Sequence, residues 1–294
     1  MKKYLAIVMA ALLLICSLAS CTGGESNSID EYAPEVNYLI TEKGTFYFKE
    51  AEGETAILTN YVGKATADDH VEVPKMFGDR TVTVIGEQAF YNLSAIVEII
   101  IPETVIKIDD YAFARCTELT EIKLPAGLLE IGEGAFAECT KLEKVELGSA
   151  LETIGEKAFN GCSALKDIPL PATLKTIGKA AFTFCGALES LTVPASVTKI
   201  GDLAYTDCFK LQTITIANGD AEIGAHAFEN SDGTNFKDKF VTEGLAEESQ
   251  VLAYVNGLSD TPVVEETEAV TGTVTEPVTE AETEAATEAA TEAE

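Results

Sequence analysis

Histidine is scarce in this chain: His70 and His226 are the only two in 294 residues. They lie far apart in a chain built on a linear repeat, so a metal centre of paired histidines has no foundation. A Ser-His-Asp arrangement would need Asp68 or Asp69 beside His70 and a nucleophile that no motif identifies; Asp68-Asp69-His70 reads instead as a surface loop. Basic residues are few as well, 20 Lys and Arg against 49 Asp and Glu, for a formal charge of -29. The glutamates beyond residue 260 and the lysines at positions 2 and 3 leave roughly -21 on residues 21–260. Such a body repels nucleic acid, heparin-like polymers and anionic membrane surfaces, and leaves basic protein patches or uncharged glycans as partners. No C-x-x-C or cysteine-histidine cluster offers a zinc site. Gly132-Glu133-Gly134 lacks the third glycine and the preceding strand of a phosphate loop. The sequence therefore calls for no cofactor and no metal. Paired carboxylates are too common here to single out an acid-base pair.

What the chain does hold is one unit of 23 residues written seven times between residues 85 and 231. Phe90, Phe113, Phe136, Phe159, Phe182, Tyr205 and Phe228 keep that spacing without a break, each preceded by alanine. An isoleucine lies five residues before each aromatic, from Ile85 to Ile223. Cys116, Cys139, Cys162, Cys185 and Cys208 lie three after theirs, and Leu119, Leu142, Leu165, Leu188 and Leu211 lie six after. The consensus is I-G-x-x-A-F-x-x-C-x-x-L-x-x-I-x-L-P-x-x-L. Self-similarity at such a period marks a solenoid, in which each unit contacts its neighbours.

Each column has a physical reading. In Leu119-x-x-Ile122-x-Leu124-Pro125 the apolar residues alternate with polar ones, which places Ile122 and Leu124 inward and Lys123 outward on a short strand. The prolines at 102, 125, 171 and 194 end that strand, having no donor for the next ladder bond. The glycine after the isoleucine, replaced once by Asp109, reads as a left-handed turn. The A-F-x-x-C-x-x-L segment spaces its apolar residues as one or two turns of helix or 3₁₀ helix do. A single unit buries too little to offset its own ordering, so the units must stack into a parallel sheet along one face. The five repeat cysteines share one column; five equivalent positions cannot pair completely, and they read as buried free thiols packed as small hydrophobes.

With its consensus matched in most columns of six successive copies, the sequence resembles the BspA-like leucine-rich repeat proteins over most of residues 38–258. The resemblance implies an α/β, right-handed solenoid of about seven coils, with parallel strands on the concave face and short helical or 3₁₀ turns on the convex face. It also implies extracellular binding, in some members adhesion to host matrix proteins, and it implies no catalytic residues.

Six segments make up the chain. Residues 1–20 carry Lys2 and Lys3 and then the apolar run Tyr4 to Ile15, shaped like a signal peptide and too short for a stable span. The run ends in Leu18-Ala19-Ser20-Cys21, which resembles a lipobox, and Cys21 is the expected lipidation site; an ordinary secretory signal is the alternative. Residues 21–35 read as a tether. Residues 36–84 read as an N-terminal cap with a hairpin of Tyr38-Leu39-Ile40 and Thr45 to Phe48, a further strand at Ala56-Ile57-Leu58, and an insertion from Phe77 to Thr81. The repeats at 85–231 are followed by a C-terminal cap at 232–258 with a helical stretch near Ala246 to Val255. The Thr/Glu/Ala-rich tail at 259–294 cannot bury a core and is expected to be disordered, or to serve as a glycosylated stalk.

The outward columns of the concave strands mix charges and small polar groups without an aromatic anchor. Lys123, Lys144, Glu146 and Lys166 mark the centre of that face and are the candidate binding residues. Two readings stay open: a monomeric, lipid-anchored module that binds a protein or glycan on host or bacterial surfaces, and an envelope-organising lipoprotein without a dedicated ligand.

Overall fold

Phe90, Phe113, Phe136, Phe159, Phe182, Tyr205 and Phe228 are all fully buried in the computed structural model. Successive rings stack with centroids 5.0 to 5.3 Å apart and planes within 11° of parallel. That separation matches the spacing of neighbouring strands, so one ring per coil fills the interior at the pitch the backbone sets. The structure describes residues 37–63 and 69–258. The signal peptide, Cys21, the tether and the tail from 259 lie outside the described residues. From Leu39 onward the described residues form one compact unit, which holds the solenoid.

At its start, β1 (Tyr38–Ile40), β2 (Gly44–Ala51) and β3 (Thr55–Gly63) lie side by side, β2 and β3 antiparallel. After β4 (Asp69–Glu72), the expected insertion is a second hairpin, β5 (Met76–Phe77) on β6 (Arg80–Ile85), turning at Gly78. The repeats then supply β7 (Ile96–Ile100) and β8 (Lys107–Ile108), β9 (Glu121–Lys123) and β10 (Glu130–Ile131), and β11 (Lys144–Glu146) and β12 (Thr153–Ile154). They continue with β13 (Thr176–Ile177), β14 (Ser190–Val193) and β15 (Lys199–Ile200), and β16 (Thr213–Ile216) and β17 (Glu222–Ile223). Strands pair in parallel with the coil before at an offset of 23, as in Ile131 with Ile108 and Val145 with Ile122.

Two faces result. The concave face carries the longer strands, in the order β11-β9-β7-β4, and separately β14 with β16. The other face is an 11-stranded sheet that runs from β1 to β17 through the isoleucines of the I-G column. The concave sheet was expected to be continuous, and it is broken in the coil of Lys166 to Pro171. Only an isolated bridge of Lys144 with Asp167 survives there. Pro169 occupies a strand position where the other coils have Lys123, Glu146 and Thr192, and it has no N–H to give to the ladder.

Of the helical or 3₁₀ turns expected on the convex side, the structure has turns closed by 3₁₀-type bonds, as in Ala114 N–H to Tyr111 O and Cys116 N–H to Phe113 O. Alternate donors, however, reach the next coil: Tyr111 to Glu133 O, Phe113 to Ala135 O and Arg115 to Ala137 O. Two residues per coil adopt positive φ to aim those donors. One column runs from Gln88 through Tyr111 to His226, the other from Asn92 through Arg115 to Asp207. The left-handed position is therefore two and six residues past the I-G glycine, and none of the I-G glycines has positive φ. Those glycines serve close approach instead. A Cβ on Gly155 would stand 2.7 Å from the carbonyl carbon of Gly132, and one on Gly178 2.4 Å from that of Gly155.

All five repeat cysteines are free and buried. Each Sγ donates to the carbonyl of the aromatic in the preceding coil, from Cys116 to Phe90 O at 3.2 Å to Cys208 to Phe182 O at 3.3 Å. Burial pushes the thiols of Cys116, Cys162 and Cys208 up to about 12, and those of Cys139 and Cys185 well above the ordinary value.

Both ends close the stack. Tyr61 lies 5.4 Å from Phe90 and donates its N–H to Ala89 O, acting as the aromatic of an irregular coil. At the other end, helix α1 (Gln250–Gly257) begins at Ser249, whose hydroxyl accepts from Leu252 N–H; this cap starts the helix four residues later than expected. Phe228 N–H, which in an interior coil would find the next alanine carbonyl, finds the hydroxyl of Tyr254 at 3.2 Å. Phe240 and Tyr254 pack edge-on against Phe228. In the cysteine column Ser231 donates to the buried carboxylate of Asp207 at 3.0 Å.

Candidate functional site

In β9 and β11 the burial pattern is exposed, buried, exposed. Ile122 and Val145 fill the core, while Glu121, Lys123, Lys144 and Glu146 point away from it. The parallel register sets Glu146 beside Lys123 and Lys144 beside Glu121. Three of the four candidate residues thus form one cluster on two neighbouring strands. The fourth, Lys166, stands in the next coil, and its ammonium pairs with Glu143 at 2.7 Å.

Lys144 pairs with Glu146 along its own strand at 2.5 Å. That hydrogen bond and charge, with a smaller contribution from Lys123, hold the Glu146 carboxyl below the usual carboxylate range; Lys144 and Lys166 are raised by Glu146 and Glu143. All these groups are well exposed, so solvent screens their attraction. Lys123 makes no ion pair among the described residues. Glu98, Glu121, Glu143 and Glu146 outnumber the three lysines, and the face is net acidic.

His70 belongs to this face too. It was expected in a surface loop, but β4 carries it, paired in register with Glu98 of β7, and its Nδ1 lies 2.5 Å from the Glu98 carboxylate. Val71 and Val73, which alternate inward from it, are the sequence signal for that strand. Glu98, Glu121 and Glu143 are the other participants not among the four candidates, and the signal for Glu143 is an opposite charge 23 residues ahead, at Lys166. Among the described residues no group of three or more His, Cys, Asp or Glu side chains is placed to hold a metal ion. The face is an exposed sheet surface that presents charges in register, a geometry that offers contacts to a large partner.

A family model described as "BspA type Leucine rich repeat region" matches residues 73–152 and 130–239, with six copies of the repeat. Among solved structures, a leucine-rich repeat protein from Eubacterium ventriosum is similar at 24% identity and a TM-score of 0.56, over 66% of this chain and 50% of that one. The leucine-rich repeat protein of T. pallidum is similar at 23% identity and 0.44, over 63% of this chain and 85% of that one. One from Bacteroides ovatus is similar at 26% and 0.37, over 67% and 69%. The first likeness shows the fold. No curated protein matches the chain.

Proposed function

Because the chain belongs to the BspA type leucine-rich repeat family, we propose that it is a lipid-anchored, monomeric cell-surface module that binds proteins through its concave sheet. The observation that carries this reading is the row of exposed charges set by strand register around Lys123, Lys144, Glu146 and Lys166. A rigid scaffold that presents side chains in fixed columns suits recognition of a large surface. The acidic excess favours a partner with a basic patch, and steering by that charge would raise the association rate at low salt. Cys21 is the proposed site of diacylglycerol attachment, and adhesion to host or bacterial surfaces the proposed outcome.

One observation favours a second reading, an envelope-organising protein without a dedicated ligand. Lys144 and Lys166 are already neutralised by Glu146 and Glu143. Cells expressing the chain separate the two. Labelled fatty acid incorporated by the wild type and lost in Cys21→Ala supports the anchor. Saturable attachment of those cells to a matrix protein, lost when the four concave charges are reversed, supports the adhesin. Retention at the surface with no specific attachment supports the second reading.

A further inference from the structure

The charges of the concave face are not equally available to a partner. Lys144 is held by Glu146, Lys166 by Glu143, and His70 lies against Glu98. Glu72, Glu121 and Lys123 are exposed and make no ion pair among the described residues. Strand register sets two of these three on either side of one side chain. Glu72 of β4 stands beside Ile100 of β7, and Ile100 stands beside Lys123 of β9. Glu121 projects from the same side of β9, two residues before Lys123.

Ile100 is 49% exposed, and among the described residues it is the only large apolar side chain exposed on the concave strands. The equivalent positions of later coils hold Lys123, Glu146, Pro169, Thr192 and Thr215, so the fold does not require an apolar residue there. Ile96 and Ile99 already fill the core from β7, and Val97 adds half-buried apolar surface beside them. An apolar centre rimmed by unpaired charges is the arrangement of an interface hot spot. The apolar contact excludes water, and charges without a partner in the free protein gain one on binding. Lys144 and Lys166 would first have to give up the partners they have. The centre of the protein-binding face therefore lies on β4, β7 and β9 rather than at Lys166.

We propose that Glu72, Ile100 and Lys123 anchor a protein helix that carries an apolar side chain between a basic and an acidic one. This inference rests on the protein-binding reading given above and names the chemistry of the partner. Charge complementarity sets the order: a base on Glu72, an apolar side chain on Ile100, a carboxylate on Lys123. Spacing sets the conformation. Neighbouring strands hold the three residues about 4.8 Å apart along the row. Residues three or four apart on one face of a helix stand about 5 to 6 Å apart, whereas successive same-face residues of an extended chain stand about 6.6 Å apart. A helix laid across the strands makes all three contacts at once, and Glu121 takes a further base.

Selection of random 15-residue peptides displayed on phage, with the full chain immobilised, tests the anchor. Enriched peptides should carry an apolar residue with a basic residue three or four positions to one side and an acidic residue three or four to the other. Made as free peptides, they should bind the wild type saturably, and Ile100→Thr and Lys123→Gln should each weaken that binding at least about tenfold. Thr is β-branched and stands at the same position in two later coils, so Ile100→Thr should melt as the wild type does, and loss of binding cannot then be unfolding. Thr213→Val, on β16, should bind as the wild type does. The proposal is overturned if no peptide is enriched over an unrelated acidic protein, if the enriched peptides lack the pattern, or if Ile100→Thr and Lys123→Gln both bind in full. Two results separate it from the reading it rests on. Peptides lost when Lys123, Lys144, Glu146 and Lys166 are reversed together, but kept by Ile100→Thr and Lys123→Gln, overturn the anchor and leave concave binding standing. Peptides kept by all three variants overturn both.

Discussion

Tyr205 differs from the other stacked aromatics by one atom, a hydroxyl that is fully buried and has no partner among the described residues. Its ring still packs at 5.0 Å on Phe182. Tyr205→Phe keeps the stack and removes a desolvated polar group, and should raise the unfolding free energy by about 1 kcal/mol in urea titration. The glycines and left-handed residues give a paired prediction. Gly178→Ala forces a methyl carbon into the backbone of the preceding coil and should cost about 2 to 3 kcal/mol. Gln88→Gly relieves positive φ at an exposed position and should gain up to about 1 kcal/mol by the same measurement. The need for glycine was legible in the sequence; its cause was not. The left-handed columns hold Gln88, Tyr111, Lys157, Ala180, Leu203 and His226, side chains with nothing in common. They are set by inter-coil hydrogen bonds that no local propensity records.

At the scale of the element, the strands divide into those that a pattern reveals and those that only stacking creates. β9 and β11 alternate apolar and polar residues over enough length to be recognised, and the inward and outward assignments of Ile122, Lys123 and Leu124 rest on that alternation. The two-residue strands such as β10 and β12 are too short to alternate. They exist because Ile131 and Ile154 lie one above the other, which is a property of the repeat. Ion pairs across one period, among them Lys175 with Glu152 and Lys199 with Glu222, reinforce the register. The Lys166 to Glu143 pair at the candidate site is of this kind, visible only once the period is turned into a distance. The break at Pro169 belongs to this scale as well. Pro169→Thr, matching Thr192 and Thr215, should restore the ladder between β11 and β14. Hydrogen exchange at Val145 and Leu191 should slow, and stability should rise by about 1 kcal/mol.

For the whole molecule, the cysteine column ties stability to pH. A thiol whose folded value is raised stays protonated while the unfolded chain ionises. Its contribution is therefore fully present below the ordinary value near 9 and is lost as pH rises toward about 12. Each buried thiol adds about 1.4 kcal/mol of destabilisation per pH unit in that window. Under reducing conditions the urea midpoint should fall steeply between pH 9 and 10.5, and less steeply in Cys139→Ala combined with Cys162→Ala. The same repetition that makes the scaffold legible hides its purpose, because the outward residues are free to vary from coil to coil. The most direct measurement of what the molecule does is equilibrium binding of the purified chain to a panel of matrix proteins, with Lys123, Lys144, Glu146 and Lys166 reversed in a parallel sample. A concave binding site predicts saturable binding that weakens with salt and is lost in the reversed variant. Saturable binding that the reversed variant retains in full would contradict it.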